Sequence, residues 1–233
     1  DELDMQRVQI RETIVSHFEK ERELFARGIK TLSLFFIDEV AKYKSYGEDG
    51  EVEKGVFWKK FEEEYTNILN ENLSLFDSAY QQYLRRFDAS EIHNGYFSID
   101  KKGRVTNGEK VSRKTGLEEG TAAYDLILKN KERLLSFDEP TRFIFSHSAL
   151  REGWDNPNVF QICTLRHANT ATAKRQEVGR GLRICVDADG NRMDFETLGE
   201  SVHELNKLTV IANESYSSFV KDLQDKTREA LRD

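Results

Sequence analysis

The sequence predicts an α/β domain with a mostly parallel central sheet and a mixed helix and hairpin insertion. Three observations carry that expectation. The run Ile29-Lys30-Thr31-Leu32-Ser33-Leu34-Phe35-Phe36-Ile37 is short, apolar and rich in β-branched and aromatic residues, as a strand buried on both faces requires. A segment of helical period precedes it directly, which is the α/β rhythm. The same alternation resumes after residue 120.

The elements follow in chain order. Met5, Val8, Ile14 and Phe18 recur at helical spacing between charges, so residues 5–27 read as a helix with Gly28 as its cap. The apolar run 29–37 is the first strand and is closed by Asp38. Residues 40–120 read as one insertion, because a separate domain of that size buries little core. Within it, Lys42–Lys54 reads as polar loop, and Phe57–Leu69 and Leu75–Phe87 read as helices. Gly95–Val105 reads as a hairpin turning at Lys101-Lys102-Gly103. Residues 106–120 are polar and expected to be mobile. Ala122–Leu135 then reads as a helix, and Arg142–Ser146 and Val159–Leu165 as strands. Ala171–Val178 reads as a helix ending near Gly179, and Leu208–Ala212 as a strand. Ser215–Leu231 reads as a closing helix, with Phe219, Val220, Leu223, Thr227, Ala230 and Leu231 on one face.

Composition narrows the function. With 233 residues, 38% of them hydrophobic and 33% charged, the chain can bury a core and remain soluble. No apolar run approaches the ~18 residues of a membrane span. Cys163 and Cys185 are the only cysteines and lack Cys-x-x-Cys spacing, which suits a cytoplasmic protein without a disulfide scaffold. A net charge of −7 argues against a free-standing nucleic-acid binder. No Gly-Lys dipeptide occurs, so the phosphate-binding loop Gly-x-x-x-x-Gly-Lys-Ser/Thr is missing. The absence of His-Glu-x-x-His, Gly-x-Ser-x-Gly and Glu-x-Lys argues against zincin, hydrolase-elbow and carboxylate–lysine nuclease chemistry. Asp38-Glu39 and Asp138-Glu139 imitate a Mg²⁺-holding acid pair, but without that loop upstream they read as solvated charges. No metal site is expected.

The informative region is 142–185. It holds Arg142, Arg151, Arg166, Lys174, Arg175, Arg180 and Arg183 against Glu152, Asp155 and Glu177, locally basic in an acidic chain. Ser146–Val159 links two strands, so it occupies a strand end, where α/β sheets bind ligands. Gln176-Glu177-Val178-Gly179-Arg180-Gly181-Leu182-Arg183 ends a helix at Gly-x-Gly and presents two arginines. Such arginines can fork onto phosphate oxygens; a glycine cap carrying two solvated arginines is the alternative.

Gln176, Gly179, Arg180 and Arg183 match motif VI, Gln-x-x-Gly-Arg-x-x-Arg, of superfamily 2 helicases. Gly153-Trp154-Asp155 matches the Gly-x-Asp of motif V. The run Arg142–Leu165, together with Leu32–Asp38, His93–Phe97 and Ile211–Tyr216, resembles the Res subunit of type III restriction enzymes. That resemblance implies the second of two RecA-like (P-loop NTPase-like) motor domains, a three-layer fold. Residues 1–27 would be the linker and first helix, 40–120 the insertion, and 121–233 the half carrying motifs V and VI. The first motor domain, with the phosphate loop and the Mg²⁺ ligands, and the nuclease domain would lie elsewhere in a longer chain.

The resemblance further implies ATP, with Mg²⁺, in a cleft between the two motor domains. Arg183, the preferred finger, and Arg180 would reach the γ-phosphate, with Gln176 orienting them. Gly153, Asp155, Gly179 and Gly181 would line the nucleotide. Ser146, Ser148 and Arg151 would face the phosphates of double-stranded DNA, and Asp38 would lie near them. A plain turn aspartate remains the alternative for Asp155, and core packing for Trp154. His147 reads as structural. The partner would be the methyltransferase subunit, Mod, which reads sequence; a membrane partner is not expected. Three other readings remain: another superfamily 2 DNA helicase, a non-catalytic α/β interaction module, or a metal-independent enzyme using Cys163.

Overall fold

The computed structural model describes residues 2–75, 78–99, 104–106, 131–147, 156–166, 177–179 and 181–211, and single positions 221, 224, 225 and 228. Helix α1 spans Glu2–Phe25. Gly28 closes it at φ +69°. Its N–H donates to Phe25 O at 3.0 Å, and the Ile29 N–H donates to Leu24 O at 3.1 Å. Ile29 and Leu24 pack in one apolar cluster. This Schellman arrangement needs a left-handed residue, which glycine supplies at least cost.

Strand β1 follows at Leu32–Phe36, buried throughout. β2 (Lys44–Tyr46) and β3 (Val52–Lys54) form a small antiparallel pair, so Lys42–Lys54 is not wholly loop. Helices α2 (Val56–Asn72) and α3 (Ser78–Leu84) come next. Then β4 (His93–Tyr96), β5 (Ser98–Ile99), β6 (Val105–Thr106), β7 (Phe143–Ser146), β8 (Val159–Thr164) and β9 (Thr209–Ile211) follow.

The central sheet runs β4-β7-β1-β8-β9, every neighbouring pair parallel. The expected hairpin over Gly95–Val105 is corrected here. The chain divides at Phe97: residues 93–96 form an edge strand of the central sheet, and within this stretch it is β5 that pairs antiparallel with β6. Residues 56–96, inside the block read as an insertion, therefore supply a covering helix and a sheet strand. The expected helices 122–135 and 171–178 lie mostly outside the described residues; of the described ones, 131–134 and 177–179 are helical.

Alternation along the strands builds two cores. Phe35, Phe143, Phe145, Cys163 and Leu165 face α1 and α2, meeting Ile10, Ile14, Phe18, Phe57, Phe61 and Tyr65. Leu32, Leu34, Phe36, Ile144 and Ile162 face the other way, against Leu134. A parallel sheet covered on both faces is a three-layer α/β fold of the RecA-like kind. Phe35 and Phe145 stack at 4.5 Å between ring centroids.

A buried polar network fixes α1 to the sheet. Arg142, counted above toward a basic surface, is instead 1% exposed. It donates to Glu21 Oε2 at 2.6 Å and to the Tyr65 hydroxyl. Tyr80 also donates to Glu21 Oε2, at 2.6 Å. His17 Nδ1 meets Ser33 Oγ at 2.7 Å, and Ser33 donates to Gln161 Oε1 at 2.9 Å.

Burial pushes the Glu21 carboxyl up, but Arg142, His17 and Tyr80 outweigh it and hold it at about 2. Burial also lowers His17 below 6.5. Both groups bind protons more readily when the chain is unfolded, so both make the fold acid-labile. His17 opposes folding once pH falls below 6.5. The Glu21 contribution, on the order of 3 kcal/mol, is complete above 4.5 and is lost as pH falls towards 2. Denaturant midpoints measured across that window are expected to fall steadily with pH; a flat profile contradicts the network.

Candidate functional site

Parallel strands end together, so their carboxyl ends gather the loops that can hold a ligand. β1 ends at Phe36 beside Ser146 of β7 and Thr164 of β8. The Ile37 N–H donates to Ser146 O at 2.9 Å, and the Leu165 N–H to Phe36 O at 2.8 Å. Ser146 is fully buried at this edge, and its hydroxyl has no hydrogen-bond partner among the described residues. Asp38 accepts from Lys42 Nζ and from the Glu39 N–H, so its carboxylate is engaged locally. Glu139, read from sequence as solvated, is 5% exposed, bridged by Arg133 and hydrogen-bonded by Thr141.

Arg166, which sequence reasoning left without a role, organises this edge. Its Nε donates to Glu177 Oε1 at 2.9 Å, and Nη2 reaches the same oxygen. Its Nη1 donates to His147 O at 3.3 Å. The guanidinium lies 5.6 Å from the centroid of Phe36. Its side chain is 14% exposed and that of Glu177 4%. Nothing in the local sequence marks this, because the pair closes only when β8 and the 177–179 helical turn share an edge.

Further along, Gly181 packs against Ile162, on the sheet face opposite α1 and α2. Gly181 is buried, and a Cβ there would lie 2.6 Å from Leu208 Cδ1 and 3.0 Å from Ile162 Cδ1. Close packing on β8 thus accounts for Gly181, whereas a Cβ on Gly179 meets nothing within 4 Å. Beyond Arg183 the chain is caught again. Asn158, 1% exposed, donates to Val186 O at 2.9 Å and to Lys30 O at 3.0 Å, and accepts from the Val186 N–H at 2.9 Å. The Cys185 N–H donates to Asn206 Oδ1 at 2.8 Å.

Arg183 therefore sits on a short stretch tied down at both ends, yet is itself exposed. Its Nη1 donates to Gly179 O at 3.0 Å and to Leu182 O at 2.9 Å. The guanidinium rests on neutral backbone carbonyls at a helix end, where a cation is favoured. Exchanging such contacts for phosphate oxygens exchanges neutral acceptors for charged ones, which form the stronger hydrogen bonds. Arg180, Gln176, Gly153, Asp155, Ser148 and Arg151 lie outside the described residues. Cys163 is fully buried, and burial pushes its thiol up to about 12. It is protonated and inaccessible, unsuited to nucleophilic work.

The fold and this edge define a RecA-like α/β domain, with Arg183 exposed on a segment beside the sheet. No family model matches the chain. Curated proteins do match. It is 44% identical over 183 residues to the type III restriction-modification enzyme EcoPI Res subunit of Escherichia phage P1. It is 43% identical over 183 residues to the EcoP15I Res subunit of Escherichia coli. It is 38% identical over 215 residues to the StyLTI Res subunit of Salmonella typhimurium. These matches cover 76–82% of this chain. The chain belongs to the Res subunits of type III restriction-modification enzymes. It spans 17–20% of the length of these relatives, and no described helix is long and apolar enough to cross a membrane.

Proposed function

We propose that this chain is the second motor domain of an ATP-driven DNA translocase within a type III restriction enzyme, supplying one wall of a nucleotide site shared between two lobes. The observation that carries the reading is Arg183: an exposed guanidinium on a segment anchored by Glu177 on one side and Val186 on the other. A cation presented this way fits a polyphosphate approached from one side. In this reading the Mg²⁺ ligands belong to the other lobe, as the family resemblance implies.

ATP in that cleft supplies a terminal phosphoryl group whose leaving spreads charge over its oxygens. Arg183, with Arg180 beside it, leaves the backbone carbonyls and neutralises that charge. Gln176 and Gly179 place the arginines. Asp155 and Gly153 shape the neighbouring turn. Ser148 and Arg151 sit towards double-stranded DNA and grip phosphates without reading sequence; Ser146, expected beside them, is fully buried at the strand end and is not in reach of a phosphate. Target choice then belongs to the methyltransferase subunit, Mod, and cleavage to a nuclease domain outside this chain. Closing and opening of the two lobes with each nucleotide cycle shifts the grip along DNA, in the cytoplasm where the foreign DNA arrives.

A half-site does not turn over. The purified 233-residue chain is expected to show no ATP hydrolysis above background, with or without DNA, while the full-length enzyme hydrolyses ATP. Robust hydrolysis by the chain alone overturns the shared-site reading.

A further inference from the structure

Arg166 makes contacts that reach beyond its own strand. It follows β8, packs over Phe36 at the end of β1, holds the carbonyl of His147 at the end of β7, and grips Glu177 of the helical turn that leads to Arg183. The end of β7 and the turn that leads to Arg183 thus meet at one guanidinium. The fork geometry of arginine lets it serve both, since its donors point in fixed, divergent directions. Thr164 Oγ1, 3.5 Å from Glu177 Oε2, marks the strand end against which the carboxylate is held.

We infer that Arg166 is a positioning residue: it ties the end of β7, at His147, to the turn that leads to Arg183, so that the two move as one unit. The inference rests on the function proposed above and adds a residue that contacts neither nucleotide nor DNA. A rotation of the 177–179 turn about an unclamped Glu177 displaces Arg183, four and more residues along the same segment. Small misplacement of a charge-stabilising group weakens transition-state binding more than ground-state binding. A fork that also holds His147 couples the end of β7 to that group.

The test separates positioning from mere charge compensation. Removing Arg166 alone takes the arginine from a buried carboxylate and costs stability, whereas replacing both members of a buried pair by apolar residues is often neutral. Full-length enzyme is therefore made with R166M and with R166M/E177M. DNA-stimulated ATP hydrolysis, the KM for ATP and the thermal midpoint are measured for each. The double variant is expected to melt close to the parent but to lose about tenfold in kcat, with KM little changed. It is also expected to lose stimulation by DNA. Recovery of parental turnover in R166M/E177M, or unchanged turnover in R166M, overturns the inference. If both methionine forms misfold, R166K keeps the charge opposite Glu177 but not the fork: reduced DNA stimulation supports the inference, and parental stimulation overturns it. An R183A control, measured alongside, reports separately on the shared nucleotide site. If R183A hydrolyses ATP normally, the functional reading fails whatever Arg166 does.

Discussion

Replacing Arg183 by alanine in the full-length enzyme is expected to lower the rate of ATP hydrolysis by about 10³–10⁵-fold, the range an arginine finger contributes. Nucleotide binding should change little, because the interaction strengthens only as charge develops on the transferred group. The fold should also be untouched. Arg183 is exposed and its Nη1 donates to the backbone carbonyls of Gly179 and Leu182, and exposed substitutions of that kind shift stability by about 0.5 kcal/mol or less. Turnover kinetics, equilibrium binding of a non-hydrolysable nucleotide and a melting curve together check the three statements. R183K should recover little, since a point charge does not reproduce a planar fork. Parental hydrolysis by R183A removes the role.

The second large effect is on stability. Arg142→Met removes a guanidinium that is bonded to Glu21 and Tyr65 and lies 5.4 Å and 5.5 Å from the ring centroids of Tyr65 and Tyr83. Glu21 is then left in a fully buried site with Tyr80 and His17 beside it, and must either hold a poorly compensated charge or take up a proton. Breaking a buried pair by deleting one partner costs about 3–5 kcal/mol, which for a domain of this size lowers the melting midpoint by about 10 °C. The loss should shrink in E21M/R142M, where no lone charge is left behind. Thermal unfolding of the parent, the single and the double variants tests both parts. A single variant that melts with the parent contradicts the structural importance of this pair.

Arg142 also shows where sequence reading stops. As a letter beside Phe143 it adds to a basic stretch; its burial depends on Glu21, 121 residues away in the chain. The strands Leu32–Phe36, Phe143–Ser146 and Val159–Thr164 were legible because burial on both faces demands continuous apolar runs. His93-Asn94-Gly95-Tyr96 gives no such signal, yet it pairs in parallel with β7 at the sheet edge. Its place is set by packing: a Cβ on Gly95 would lie 2.3 Å from the Phe97 ring and 2.7 Å from that of Tyr43, and His93 Nδ1 meets the Tyr43 hydroxyl at 2.8 Å.

The candidate site divides in the same way. Motif spacing points to Gln176, Arg180 and Arg183 because phosphate chemistry restricts the residue types. The supporting contacts of Arg166, Asn158 and Asn206 were invisible, since ordinary polar residues acquire those roles only when distant strands come together. Gly181 was expected beside a nucleotide; its packing on Ile162 and Leu208 gives it a reason within the fold itself.

The most direct measurement is a structure of the full-length enzyme holding ADP and a planar fluoride mimic of the transferring phosphoryl group, with DNA bound. The account predicts that the Arg183 guanidinium leaves Gly179 O and Leu182 O and donates to the mimic at about 2.7–2.9 Å. An Arg183 that remains on those two carbonyls, while another group neutralises the mimic, contradicts it.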